Sequence, residues 1–316
     1  MTESLLAESR NNCTVFQTNP EMYHYGPLTL LYAKVESAAS KFFSPVEDES
    51  KKPRILVVGY GWAASAFINN LNFKKYRVEV VSSSPARFSQ PTMISTWRKN
   101  FKPPPHGIAI VDDEVDKVEV GKLVGKKASY DYDYLVVATG SEPNDFGIAG
   151  VAQHAQFFKT PSHLDALQSR LDRASTVSVM GAGPTGLELA FKLKALGHDV
   201  TVVEAANSIL PGFSEQIKRR VLDEVAKKGI RLHLDHKILG VTADAILTSQ
   251  GNVPLGHRGL AVWTCGVRPT AFARQFPAPD GQLRAGGGDS RVFLIGDAAR
   301  GRGPPTAQNA KRQGGE

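Results

Sequence analysis

TVSVMGAGPTGLELAFKLKALGHDVTVVE, residues 176–204, is the stretch that decides the fold. The apolar run TVSVM meets Gly181-Ala182-Gly183-Pro184-Thr185-Gly186, a helical pattern continues to about Leu196, and a second apolar run, HDVTVVE (198–204), follows. Strand, glycine turn, helix and strand form a βαβ nucleotide-binding unit. Its first glycine permits a tight bend, its second lets backbone approach a pyrophosphate, and a small third residue lets the helix pack closely on the strand. The helix N-terminus then offers free N–H groups and positive dipole to phosphates. The same pattern occurs earlier, as RILVV (54–58), Gly59-Tyr60-Gly61-Trp62-Ala63-Ala64, a helix to about Leu71, and YRVEVV (76–81). Two such units in one chain predict an α/β fold with two Rossmann-like dinucleotide-binding domains, parallel sheets carrying helices on both faces.

The units end their second strands in register, with 23 residues from Gly181 to Glu204 and 23 from Gly59 to Ser82. A carboxylate at that place accepts hydrogen bonds from ribose hydroxyls and repels a 2′-phosphate, so Glu204 predicts a preference for NADH over NADPH. Between the units lies a strand-rich stretch, GIAIV (107–111), VDKVEV (115–120) and YLVVA (134–138), the last running into Ala138-Thr139-Gly140. Beyond the second unit come a helix at about 215–228, short strands to Val262, the strand VFLIG (292–296) with Gly296-Asp297 at its end, and a final helix from near Pro305. An acid in the place of Asp297 either accepts from a cofactor hydroxyl or caps the next helix.

Composition narrows the choices. A chain of 316 residues, 41% apolar and 22% charged, is long enough for two packed domains and too balanced for global disorder. No window approaches the ~18 uninterrupted apolar residues of a membrane span, so the expectation is a soluble or at most peripheral protein. Only Cys13 and Cys265 occur, without a CxxC or CxxxxC pair, which excludes a dithiol mechanism, a disulfide framework and a Cys-rich metal site. Residues 1–53 hold five Lys/Arg against seven acids, a net of −2 that leaves +9 of the overall +7 on residues 54–316. A basic body suits phosphate-bearing ligands, while the absence of aromatic RNA-binding stripes and zinc-finger spacing speaks against nucleic acid. Residues 1–53 read as an N-terminal extension and linker, with an amphipathic helix over about 27–43 and the charged run PVEDESKKP (45–53). Glu3 and Glu8 contradict an Arg-rich transit peptide, and no secretory h-region is present.

The ordered set Gly59–Ala64, Ala138–Gly140, Gly181–Gly186 and Gly296-Asp297 resembles the two-dinucleotide-binding flavoproteins. With VWTCGVRP (262–269) and PPTAQNAKRQG (304–314) the resemblance narrows to type II, single-subunit NADH dehydrogenases, from about Arg54 onward. It implies an FAD domain at 54–165 and 266–316 with an inserted NADH domain at 166–265. Carried over, Gly59, Gly61 and Ala64 hold the FAD pyrophosphate with Trp62 in the same turn, Ser82 lies near the adenosine, Thr139 and Gly140 lie along the FAD, and Gly296-Asp297 meets the ribitol. Gly181, Gly183 and Gly186 hold the NADH pyrophosphate, Glu204 the ribose, and Glu188 faces the nicotinamide end. Gly266 lies where the two cofactors meet, and Ala307 and Gln308 sit beside the flavin ring on the quinone side. Glu188 and Gln308 are the residues nearest the chemistry.

Three departures qualify the resemblance. Arg312 stands where the family has a second quinone-side glutamine, the stretch Pro91–Tyr132 is shorter than its counterpart, and Glu316 falls inside the helix that opens the family's C-terminal part. A C-terminally truncated member is therefore expected, without the family's dimer contact and amphipathic membrane anchor. The activity implied is hydride transfer from NADH to FAD and electron transfer to a quinone, at the mitochondrial inner-membrane surface or, alternatively, in the cytoplasm. Two other readings stay open: a reductase of a soluble or iron–sulfur protein, steered by Arg284, Arg291, Arg300, Arg302, Lys311 and Arg312, and a nucleotide-binding chain without turnover.

Overall fold

The computed structural model describes residues 51–276 and 290–299 apart from 85, 100, 103, 105–107 and 109. The amphipathic helix expected at 27–43 and the helix after Pro305 lie outside the described residues, as do Ala307, Gln308 and Arg312.

Two five-stranded sheets dominate. In the first, the order is Val292–Leu294, β4 (Tyr134–Val137), β1 (Arg54–Val58), β2 (Arg77–Val81) and β3 (Ile110–Val111). In the second, it is β5 (Ala155–Phe157), β9 (Gly259–Trp263), β6 (Thr176–Met180), β7 (Asp199–Val203) and β8 (Arg231–His233). Every pairing in both sheets is parallel. The strand that feeds a glycine turn, β1 or β6, is central in each sheet, and its burial on both faces explains the near-continuous apolar runs of the sequence.

The layering departs from helices on both faces. In the second unit, alternate residues of β6 and β9 point to opposite sides. Val177, Val179, Leu260 and Val262 meet leucines of α3 (Pro161–Leu171) and α4 (Pro184–Ala195), together with Val225 of α5 (Glu215–Lys227). Met180, Ala261 and Trp263 instead meet Ile238, Val241, Ile246 and Val253. Those four belong to an antiparallel sheet, Ile238–Val241, Ala245–Thr248 and Gly251–Pro254. The first unit repeats this plan. Ile55, Val57 and Val136 pack with Ala64 and Ile68 of α1 (Trp62–Asn69), whereas Leu56, Leu135 and Val137 pack with Leu123 and Tyr130 of an antiparallel sheet, Val115–Glu119, Lys122–Gly125 and Ser129–Asp131. Each unit is thus helix, parallel sheet and antiparallel sheet, because alternating strands bury the same apolar area that a second helical layer would cover.

The division expected at 165/166 falls inside α3. Leu164, Leu167 and Leu171 are buried against the second sheet, and β5 already pairs with β9, so this unit begins by Ala155. Thr160 fixes the helix start, accepting from the His163 backbone N–H while His163 Nδ1 accepts from the Thr160 N–H, with Pro161 in the first turn. A helix not anticipated from the sequence, α2 (Gln90–Thr96), also packs here. Its Met93 and Ile94 enter the core containing α4, Lys192 Nζ donates to Ser95 O at 3.0 Å, and Gln90 Nε2 to Phe158 O at 3.2 Å.

Candidate functional site

Both glycine turns bend in the same way. Gly59 (φ 86°) and Gly181 (φ 103°) occupy the left-handed region, each donating its N–H at 2.8 Å to the end of the neighbouring strand, Val81 O and Val203 O respectively. A Cβ on Gly59 would stand 2.8 Å from Ala138 O, so only glycine brings this turn against Ala138-Thr139-Gly140. A Cβ on Gly181 would stand 3.0 Å from Cys265 Sγ.

The helices that follow begin on Gly61 and Gly183, and neither has a side-chain cap. The other described helices of seven residues or more are capped by hydroxyls of Ser89, Thr160 and Ser214. A Cβ on Gly61 or on Gly183 would meet nothing within 4 Å. Two helix N-termini with unclaimed N–H groups, each facing open space beside a glycine, are what a pyrophosphate requires. The residues present therefore fit two dinucleotides.

Around the first turn, three separated motifs converge. Gly296 abuts the start of α1, where its Cβ would lie 2.6 Å from Ala63 Cβ. The carboxylate of Asp297 accepts from Ser141 Oγ at 2.6 Å and has Lys159 Nζ at 3.9 Å. Thr139 and Thr270 share a hydroxyl hydrogen bond of 2.7 Å. Ser82 is buried and its hydroxyl accepts from the Ser84 N–H at 3.1 Å. Trp62 is 59% exposed, with the Arg87 guanidinium 4.2 Å from its ring centroid. Residues 159, 141 and 270 were not singled out in the sequence. Lys159 is a lone cation after two phenylalanines, a position with no spacing signal.

The second turn opens into a cleft of about 840 Å³, which brings Gly181, Gly183, Glu204 and Gly266 together with Trp263 and Cys265. Glu204 accepts from the Ala182 N–H at 2.7 Å and the Ala206 N–H at 2.9 Å, which fixes its carboxylate beside the turn. Gly266 (φ 65°) lies against Phe146, whose ring would be 2.6 Å from a Cβ there; Phe146 packs on Trp263, and Trp263 Nε1 donates to Asn144 O at 2.9 Å. Burial, reinforced by the Glu204 charge, pushes the Cys265 thiol up to about 12, so Cys265 supplies no thiolate nucleophile. Glu188 sits on α4 outside the cleft lining. The residue is exposed overall, yet the partial desolvation of its carboxyl raises its pKa above the ordinary carboxylate value.

Gly186 shows why the second helix lies closer to its strand. A Cβ there would stand 2.0 Å from Gly181 O, whereas Ala64, its counterpart, keeps its methyl group fully buried. Among the described residues no group of three His, Cys, Asp or Glu is placed to hold a metal, and no helix is long and apolar enough to cross a membrane.

A family model described as pyridine nucleotide-disulphide oxidoreductase matches residues 53–314. The chain belongs to the pyridine nucleotide-disulphide oxidoreductase family. Members of the family bind FAD and use a pyridine nucleotide. One relative is the mitochondrial external alternative NAD(P)H-ubiquinone oxidoreductase B3 of Arabidopsis thaliana, 26% identical over 80% of this chain. The chain spans 56% of that relative's length. Among solved structures, NDH2 of Plasmodium falciparum in complex with NADH superposes with a TM-score of 0.68 at 21% identity, over 78% of this chain and 64% of the other. A ferredoxin reductase of Rhodopseudomonas palustris gives 0.67 at 22%, over 78% and 68%. At these identities the structures share the family fold.

Proposed function

We propose that this oxidoreductase binds FAD at the first glycine turn and NADH at the second, and carries electrons from NADH to a quinone. The observation that carries the reading is the pair of uncapped glycine N-termini, each at the C-terminal edge of its own parallel sheet. Gly59, Gly61 and Ala64 hold one pyrophosphate, with Thr139, Gly140, Gly296 and Asp297 along the same cofactor and Trp62 and Ser82 near its adenosine end. Gly181, Gly183 and Gly186 hold the other, Glu204 takes the ribose hydroxyls, and Gly266, which lines the same cleft against Phe146, lies toward the nicotinamide end. Glu188, outside the lining of the cleft, is assigned to the nicotinamide end by the family resemblance alone. Ala307 and Gln308, outside the described residues, are assigned to the acceptor side by the family resemblance alone.

When bound, the flavin supplies the relay between a two-electron donor and the acceptor. The chain's own contribution is position. The two turns would fix where donor and relay bind relative to the chain, and Phe146 packed on Trp263 would give the second cleft an aromatic lining against which the nicotinamide end could rest. The sequence holds no CxxC or CxxxxC pair for a dithiol step, and burial holds the Cys265 thiol protonated. The quinone acceptor is supported by relatives named as mitochondrial NAD(P)H-ubiquinone oxidoreductases, which also favour the mitochondrion as the place of action.

A second reading, reduction of an acidic iron–sulfur protein, is favoured by the charge of +9 on residues 54–316. Steady-state assays of the FAD-loaded chain separate the two. Reduction of a water-soluble quinone by NADH, insensitive to salt between low and physiological ionic strength, is the expected result. A rate that appears only with an acidic protein acceptor and falls steeply with salt would replace the quinone by that partner.

A further inference from the structure

At the edge of the second sheet opposite the glycine turn lies a cavity of about 520 Å³ lined by Arg170, Arg173 and Arg258 with Ala174, Gly259 and Leu260. The arginines come from two segments. Arg170 is in the last turn of α3 and Arg173 just beyond it, while Arg258 is in the turn entering β9. Ser175 and Thr176 tie the segments together: Ser175 Oγ donates to His257 O at 2.7 Å and Thr176 Oγ1 to Leu255 O. Arg258 is held in the left-handed region (φ 54°), a conformation costly for a long side chain, in a turn closed by Gly259 N–H to Gly256 O at 3.2 Å.

No carboxylate among the described residues pairs with any of the three guanidiniums, and Asp172, between two of them in sequence, lies outside the cavity lining. A helix C-terminus accounts for one cation in its last turn, as at Arg170, but not for two more brought in by the following residues and a strained turn. Three like charges converging without a counter-charge repel one another, and a multiply charged anion relieves that repulsion through bidentate guanidinium–phosphate bonds. The floor is apolar, formed by buried Leu260. The volume suits a ligand of nucleotide size.

We infer that this arginine-lined cavity is an oligophosphate-binding site, separate from the nucleotide turns. Strand β6 starts at Thr176, beside the cavity, and ends at Met180, beside Gly181, so the two places are about 13 Å or more apart along the strand. The inference does not depend on which nucleotides the turns take. Its ligand is a phosphate-rich anion, free in solution or on a lipid headgroup.

The test is calorimetric titration of the full chain with inorganic tripolyphosphate at low salt, with and without saturating NAD+. One saturable site is expected, weakened at least tenfold by the pair Arg173→Gln and Arg258→Gly and unaffected by NAD+. Glycine adopts the left-handed turn freely, so Arg258→Gly keeps the fold while removing a charge, and circular dichroism checks this. Sedimentation with phosphatidylcholine vesicles, with or without phosphatidic acid, identifies the source. Binding to the acidic vesicles alone, lost in the same variant and with no response to tripolyphosphate, assigns the phosphate to a lipid. Binding unchanged in the variant, binding displaced by NAD+, or no binding to either probe would overturn the inference.

Discussion

The two glycine turns have the same hydrogen bond to the neighbouring strand and the same 23-residue span, yet they differ in how tightly helix and strand meet and in what closes the far end. In the first, buried Ala64 spaces α1 from β1 and Ser82 offers a hydroxyl already engaged with the Ser84 N–H. In the second, Gly186 leaves no room for a methyl group, and Glu204 presents a carboxylate locked by two backbone N–H groups. Common geometry at the glycines corresponds to what the two cofactors share, a pyrophosphate. Under the proposed function, divergence at the strand end would set selection at the ribose, by charge at Glu204 and without charge at Ser82.

The sharpest way to break this comparison is to fill the open space at each turn. Gly61→Val and Gly183→Val add atoms where a Cβ meets nothing, at φ values of −101° and −75° that any residue adopts. Each is expected to weaken its own dinucleotide about a hundredfold, roughly 2.7 kcal/mol, while unfolding in urea moves by no more than about 0.5 kcal/mol. Fluorescence titration with FAD and with NADH checks both, and a variant that loses the other cofactor instead would reverse the assignment. Gly186→Ala comes next, costing about 2 kcal/mol of stability through overpacking against Gly181 O, whereas Ala64→Gly in the looser turn costs only about 1 kcal/mol; urea unfolding compares them directly. Glu204→Ala is expected to raise the ratio of NADPH to NADH affinity about tenfold, roughly 1.4 kcal/mol, with Ser82→Ala leaving that ratio unchanged. Equal effects would remove the charge argument.

The smallest effect distinguishes the units by acid. Asp113, in the first unit, is the only buried carboxylate among the described residues. Burial alone pushes its pKa up, but donation from Tyr130 Oη and from the backbone N–H groups of Lys127, Glu114 and Ala128 outweighs this and holds it below its ordinary value of 3.8. A carboxylate depressed in the folded state contributes stability above its unfolded value and loses it as pH falls through the folded one. Below about pH 3.8 the acid limb of stability should therefore be shallower in Asp113→Asn, measured by thermal melts from pH 5 downward. An identical limb would show that Asp113 carries no acid sensitivity.

Strands β1, β2, β6 and β7, the helices α1 and α4 between them and the glycines that join them were legible because two periods, continuous apolar runs and the 3.6-residue stripe, switch at a residue with a known backbone demand. The antiparallel layers were not, since strands such as Ala245–Thr248 and Gly251–Pro254 are only four residues long and their pairing partners are set by the sheet they cover. Helix α2 has seven residues, too few for a periodic signal, although Ser89 followed by Pro91 marks its start. The boundary near Ala155 was obscured because β5 has three residues, too few for a periodic signal of its own. At the site, Glu204 was readable from spacing alone. Lys159, Ser141 and Thr270 meet Asp297 and Thr139 only through chain crossings between the sheets, which no local pattern encodes.

The most direct test of the two-cofactor account is an absorption spectrum of the purified full chain followed by anaerobic addition of NADH. The account expects a flavin band near ~450 nm that bleaches with one equivalent of NADH and returns when a quinone is added, because the redox chemistry resides in the bound cofactor. A colourless protein that takes up no FAD on reconstitution, while still binding NADH, would contradict it and leave a single working nucleotide site.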